Sequence, residues 1–264
     1  MGFGSGQGVK CTHSEHLYGE FWHRAFTVCP DTPMCNYVIS CGANVEASGG
    51  VVGVWRHANA RERGMKRVQV EPHLSVTGAC SAQWVPIKPK TDAAFLYALI
   101  HVLLHEVPRE RLDLPFLAKL TASPYLVGPH GYYLRDRVSR KPLVWDTLAN
   151  RACAHDTPGI AEALEGRREV DAIEIGADEE VLADGLLVGE TGFDKLVAHM
   201  RDYSPEWAAG VCDVPAATMR QIAQEYVEQA CVGQTIEIEG RTLPYRPVAV
   251  TLGIVYVLVS ESVL

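Results

Sequence analysis

A short apolar run that ends in a glycine-containing turn constrains this chain more than any other feature. Asn36 to Cys41 (NYVISC) is rich in β-formers and reads as a buried strand. Gly42-Ala43-Asn44 breaks it, the small residues Ala47 to Gly53 follow, and Val54 to Arg63 has helical character with Gly64 placed as its C-cap. Lys66 to Glu71 (KRVQVE) is the next strand, stopped by Pro72. Such a strand–helix–strand unit implies a parallel pair with a right-handed crossover. A glycine turn after a parallel strand lets a ligand approach the backbone, and the helix start that follows offers unpaired N–H groups to a phosphate. An acid at the end of the next strand can accept from ribose hydroxyls. Gly42, Asn44 and Glu71 hold those places. The turn is not a G-x-G-x-x-G motif, and Glu71 also fits a solvated strand end. Spacing alone therefore leaves a nucleotide site and a plain structural turn both open.

The alternation continues. Trp84 to Ile87 reads as a third short strand, and Thr91 as the cap of a helix from Asp92 to about Glu106. Ala94, Leu96, Ala98, Leu99, Val102, Leu103 and Leu104 make that helix apolar on most sides, hence buried. Phe116 to Thr121 is a short helical piece. Residues 122–158, rich in Pro, Gly, Tyr and Arg, read as an irregular excursion with room for hairpins, and the acidic stretch from Gly166 to Gly192 as a second surface segment, neither forming a core. Phe193 to Met200 and Pro215 to Cys231 read as helices, the latter with Met219, Ile222, Ala223, Tyr226 and Ala230 as its apolar stripe. Thr235 to Glu239 and Arg241 to Leu243 suggest a hairpin, and Val248 to Leu252 another strand. The fold class expected is α/β, a Rossmann-like three-layer parallel sheet with irregular insertions.

Charge narrows the partners. Lys plus Arg number 24 against 32 Asp plus Glu, a net charge of -8, which argues against a nucleic-acid binder. The longest apolar run, Val248 to Ser260, is too short for a bilayer-spanning helix of about 20 residues, and the Gly-rich Met1 to Lys10 shows no secretory signal. Eight cysteines show no C-x-x-C spacing and read as buried free thiols, Cys41, Cys80 and Cys231 among them. His101 and His105 lie four apart on the buried helix; that spacing can bind a metal, but the helix C-terminus favours histidine by itself.

Several motifs in order resemble the molybdopterin oxidoreductase family, the dimethyl-sulfoxide-reductase class that binds bis-molybdopterin guanine dinucleotide. They are Gly42-Ala43-Asn44 after a strand, Ala60-Arg61-Glu62-Arg63-Gly64-Met65-Lys66 ending a helix, Val70-Glu71-Pro72-His73, and Ser81 to Ala94 (SAQWVPIKPKTDAA). Tyr203 to Tyr226 (YSPEWAAGVCDVPAATMRQIAQEY) resembles a further family segment. The resemblance implies that Gly42, Asn44, Glu71, His73, Ser75, Lys90, Thr91 and Asp92 line the cofactor's guanine dinucleotide, with Asp92 accepting from guanine N–H groups. Asp92 also suits a helix first turn. Glu71 stands where the family has Asp, His73 where it has Arg, and Lys90 where it has Gly or Gln.

The resemblance places the metal side in Cys11 to His23 (CTHSEHLYGEFWH), where His13 and His16 are the candidate catalytic groups. His13-Ser14-Glu15-His16-Leu17 is similar to an H-S-x-x-C pattern without its Cys. The molybdenum or tungsten ligand is then absent, shifted, or replaced by Cys11, Ser14 or His16. Residues 1–121 would begin a molybdopterin-binding α/β domain, 122–192 interrupt it, and 193–264 return to it. The chain reads as an internal piece of a larger oxidoreductase that transfers oxygen atoms or hydride equivalents. Its iron–sulfur cluster would lie in a preceding segment or a partner electron-transfer subunit, and the compartment, cytoplasmic or periplasmic, stays open. The alternatives are a non-catalytic nucleotide-binding α/β module or an inactive fragment.

Overall fold

The computed structural model describes residues 31–48 and 50–252. They divide into two units: the residues up to Val107 together with those from Tyr203 on, and Pro108–Asp202.

The first unit is built on four parallel strands: β1 (Tyr37–Cys41), β2 (Lys66–Val70), β3 (Gln83–Val85) and, far along the chain, β12 (Val248–Leu252). Their order is β12-β1-β2-β3. The chain thus leaves β1 in one direction and returns on its other side. That reversal is a topological switch point, and in open α/β sheets ligands bind outside the carboxyl ends of the strands at such a point. All five residues of β1 are buried, as a central parallel strand requires.

Helices cover both faces, giving three layers. One face carries Ile39 and Val250, which meet α4 (Asp92–His101) and α8 (Ala216–Gln229) through Leu96, Leu99, Ala223 and Tyr226, around an apolar cavity of about 260 Å³. Tyr37 also points this way. Its hydroxyl donates to Glu225 at 2.9 Å, its ring meets Tyr226 edge-on, and Lys66 reaches the same carboxylate. Each fully buried large apolar side chain here contributes about 1.5–3 kcal/mol. The other face lies beneath α1 (Val45–Ser48), α2 (Gly50–Glu62) and α3 (Val76–Ala79), where Val38, Ala60, Met65 and Cys35 form a small cluster. α7 (Pro205–Cys212) packs on α4, and a hairpin of β10 (Thr235–Ile238) and β11 (Arg241–Pro244) precedes β12. Its turn holds Glu239 and Gly240 at positive φ, as a two-residue hairpin turn requires.

The second unit folds around its own core. α5 (Leu114–Leu120) leads into β4 (Leu126–Val127), β5 (Leu134–Arg135), the hairpin β6 (Leu143–Asp146) and β7 (Arg151–Ala154), and the long hairpin β8 (Arg167–Ile175) and β9 (Val181–Thr191), with α6 (Gly192–Met200) at the end. Leu126, Leu134, Leu143, Val170 and Ala172 are buried together. Glu174 is wholly buried. Its carboxylate accepts from the His130 and Tyr132 amides at 2.9 and 3.0 Å and pairs with the His130 ring, pinning the turn between β4 and β5.

Several expectations are corrected. Neither the 122–158 excursion nor the 166–192 segment is coreless: Leu126, Leu134 and Leu143 of the first are buried with Val170 and Ala172 of the second, which alternate with the charged residues of β8 and face inward. α2 starts at Gly50 rather than Val54, α5 at Leu114 rather than Phe116, and α7 was not anticipated as a separate helix. The helix read as Asp92 to Glu106 ends in a π-helical turn, Val102–Glu106. Thr91 does not cap α4 with its side chain, since its hydroxyl donates to the Lys88 carbonyl at 2.6 Å. Pro215 stands before the first turn of α8 instead of inside it. Cys80 and Cys231 are free thiols but only partly buried, whereas Cys41 is buried. His13, His16, Cys11 and Ser14 lie outside the described residues. Among the described residues no helix is long and apolar enough to cross a membrane.

Candidate functional site

The carboxyl ends of β1, β2 and β3 bring three loops to one edge of the sheet. In the first, Gly42 sits at φ +73° with nothing within 4 Å of where a Cβ would stand, so its backbone faces open space. Left-handed backbone of this kind favours glycine. Its N–H donates to the Val70 carbonyl at 2.9 Å, which seats the turn against β2. Asn44 is not left pointing outward. Its amide oxygen accepts from the Thr77 hydroxyl at 2.9 Å and from the Thr77 amide at 3.3 Å, and that hydroxyl in turn accepts from Glu46 N–H at 2.9 Å.

The second loop is built on Glu71, which is only 5% exposed. One carboxylate oxygen accepts from the Ser75 amide at 2.8 Å and the other from the Gln69 side-chain amide at 3.0 Å. Gln69 also donates to the Ala43 carbonyl at 3.1 Å, so one buried amide joins the first loop to the second. Ser75 spends its hydroxyl on capping α3, where it accepts from Gly78 N–H at 3.1 Å. Trp84 Nε1 donates to the Glu71 carbonyl, and Gly78 lies so close that a Cβ there would stand 2.5 Å from the Glu71 carboxylate. His73 is exposed at the rim of this loop.

The third loop, residues 88–92, is seated on α7 by a 3.0 Å hydrogen bond from Lys88 N–H to the Cys212 carbonyl. Lys90 is exposed and held at φ +67°, a conformation that costs an ordinary residue about 1–2 kcal/mol. Asp92 opens α4, half-buried, and desolvation raises its carboxyl above the usual carboxylate range. The shift runs against the stabilisation an acid normally finds at a helix start, so burial outweighs the dipole here.

The residues expected from sequence thus split into two groups. Gly42, His73, Lys90 and Asp92 present backbone or side chain at the edge. Asn44, Glu71, Ser75 and Thr91 spend side-chain atoms on protein partners that shape the loops. Gln69 and Thr77, the two residues that cross-link the loops, escaped sequence reading. The available signal was the alternation Arg67, Gln69, Glu71, a polar face on a strand that should be buried. His101 and His105 stack at 4.7 Å, but Glu106 beside them pairs with Arg220, and no group of three metal-binding side chains occurs among the described residues.

Comparison with known proteins finds similarity to one family. A sulfite dehydrogenase subunit of Allochromatium vinosum is 31% identical over 179 residues, covering 62% of this chain and 17% of that protein. The nitrate reductase alpha subunit of Mycobacterium tuberculosis is 32% identical over an alignment of 273 positions, covering 74% of this chain and 22% of that protein. Both are molybdopterin oxidoreductases. The chain is similar to one stretch of the molybdopterin oxidoreductases. It spans about a fifth of the length of these relatives. No protein-family model matches the chain. Among solved structures, acetylene hydratase from Pelobacter acetylenicus superposes with a TM-score of 0.46 at 14% identity, over 83% of this chain and 18% of that one.

Proposed function

We propose that this stretch of a molybdopterin oxidoreductase holds the guanine dinucleotide part of a bis-molybdopterin guanine dinucleotide cofactor at the carboxyl edge of its parallel sheet. The observation that carries the reading is the coincidence, at one switch-point edge, of an open positive-φ Gly42, an exposed Lys90 and a half-buried Asp92. The donor set suits the ligand. The 42–44 turn offers backbone to a pyrophosphate without a side chain in the way, and Lys90 and His73 offer positive charge. Asp92 offers a paired acceptor to the N1–H and N2–H of guanine. Asn44, Glu71, Ser75 and Thr91 act one step back, by fixing the loops.

When bound, the cofactor supplies the redox chemistry at molybdenum or tungsten, and the protein supplies binding and orientation. The parent enzyme is then an oxidoreductase that transfers oxygen atoms or hydride equivalents, with electrons passing to an iron–sulfur group outside these residues. The sheet unit forms part of the cofactor domain and the 122–192 region an insertion in it.

Titration with GDP and ADP tests the guanine assignment. Two hydrogen bonds to a base edge are worth about 1–3 kcal/mol of discrimination, so GDP should bind about tenfold or more tighter than ADP. Asp92→Asn should remove most of that preference. Equal affinities for the two nucleotides, or no binding by folded protein, would overturn the assignment.

A further inference from the structure

Beside its small apolar cluster, the sheet face beneath α1 and α2 carries a stripe of buried polar side chains. Arg67 and Gln69 of β2 and Glu71 just past its end follow one another on that face, 1, 0 and 5% exposed. Ser40 of β1, 2% exposed, is the register partner of Gln69. The helix above is matched to this. Val51 and Trp55 of α2 are 88 and 63% exposed, while Arg56, His57 and Asn59 are half-buried, and His57 Nδ1 accepts from Arg67 Nη2. The usual order, apolar stripe inward and polar face outward, is reversed.

Most of this polar layer is satisfied. Arg67 pairs with Glu46 at 3.0 Å, which meets its charge. Burial and the Arg67 guanidinium hold the His57 imidazole down at about 4, so it is neutral and free to accept. The Gln69 amide must turn its NH₂ toward the Ala43 carbonyl and the Glu71 carboxylate, since both are acceptors. Three atoms on the same face are then buried with no protein partner: Ser40 Oγ, Arg67 Nε and Gln69 Oε1. Buried polar atoms are nearly always paired, and these three lie on one sheet face, Ser40 in register with Gln69 and Arg67 two residues earlier on the same strand. The set is mixed: one pure donor, one pure acceptor and one hydroxyl that does both. An anion would want donors only and a cation acceptors only. Water matches, because it donates and accepts twice.

We infer that Ser40, Arg67 and Gln69 enclose a buried hydration site, whose ordered water fixes the Gln69 amide and so the spacing of the 42–44 and 71–75 loops. Gln69 is then a positioning residue for the cofactor edge, and that last step rests on the cofactor reading proposed above. The hydration site itself does not.

A high-resolution crystal structure of the full chain tests it directly. Solvent density within hydrogen-bond distance of at least two of the three atoms is expected; a dry contact, or the three atoms satisfied by each other, would overturn the inference. Ser40→Ala supplies an independent sign. Removing an orphan hydroxyl from a dry site raises Tm, whereas removing a water ligand lowers it by a few degrees or leaves it unchanged. Where the two disagree, the density decides. Neither readout requires nucleotide, so failure of GDP binding sinks the cofactor reading and leaves the hydration site standing. For the positioning step, Gln69→Leu should weaken GDP binding about tenfold while Ser40→Ala, which keeps the Gln69 bonds, weakens it less. Equal affinities for Gln69→Leu and the parent protein would remove the positioning role.

Discussion

Gly78→Ala probes the brace that shapes the second loop. A Cβ at this position would stand 2.5 Å from Glu71 Oε1, 3.0 Å from Leu74 Cδ1 and 3.4 Å from Trp84 Cδ1. The carboxylate end of a glutamate can normally swing aside. Here one oxygen is held by Ser75 N–H and the other by Gln69, and the residue is almost fully buried. Retreat from the new methyl therefore gives up the 2.8 Å bond to Ser75 N–H. A hydrogen bond to a charged group contributes about 1.5–3 kcal/mol. Replacing Gly by Ala returns about 0.4–1 kcal/mol by narrowing the unfolded ensemble. The net loss is about 1–2 kcal/mol, or a Tm lower by roughly 2–8 °C for a chain of this size. Gly210→Ala in α7 is the matched control, because nothing lies within 4 Å of its Cβ position. It should gain about 0.5–1 kcal/mol. Thermal unfolding followed by circular dichroism separates the two. A Gly78→Ala protein as stable as Gly210→Ala would show that Glu71 moves freely and that the brace does not exist.

Three further substitutions address the edge and the second unit. Asp92 has its carboxyl raised by burial, so the native state holds that proton more tightly than the unfolded chain; the associated stability is present below the ordinary carboxylate range and lost as pH rises through the folded value. Asp92→Asn should therefore melt higher than the parent at neutral pH, with the gap closing on acidification, and a lower Tm at pH 7 would refute the sign. Lys90→Gly should relieve left-handed strain and stabilise by up to about 1 kcal/mol while weakening GDP binding and flattening its salt dependence; unchanged salt dependence would show that Lys90 does not meet phosphate. Glu174→Leu removes the one oxygen that accepts from both the His130 and Tyr132 amides, at about 1–3 kcal/mol for each amide left unpaired, and their hydrogen exchange should speed up while amides of the parallel sheet keep their rates.

The parallel sheet was legible because β1 is a short apolar run closed by Gly42 and the run holding β2 is stopped by Pro72, and breakers of that kind act locally. The second unit was harder. In β8 the exposed Arg167, Glu169 and Asp171 alternate with inward residues, but charge and glycine around the hairpin masked the two-residue period. α7 also left a readable signal: Ser204 accepts from Trp207 N–H as N-cap and Pro205 takes the first helical position. Thr91 shows the limit of such rules. It stands where a cap belongs, yet the sharp turn at Lys90 brings the Lys88 carbonyl within reach and takes the hydroxyl first. Which candidate site residues face outward was not legible at all, because it depends on Gln69 and Thr77, neither of which lies in a turn.

That dependence changes what the edge can do. From spacing, Glu71 looks like the acid that meets a ribose, but its two oxygens already serve Ser75 and Gln69. Asn44 is likewise engaged by Thr77. The first two loops are thus cross-linked from beneath by side chains that a ligand need not touch, and what they leave open is backbone at Gly42. On the proposed cofactor reading, side-chain recognition falls to the third loop, where Lys90 precedes and Asp92 opens α4. Backbone reads a pyrophosphate by shape and a carboxylate reads a guanine by its donors, so substitutions in the two regions should separate: changes at Gln69 or Thr77 should weaken GDP and ADP alike, and changes at Asp92 should weaken GDP alone.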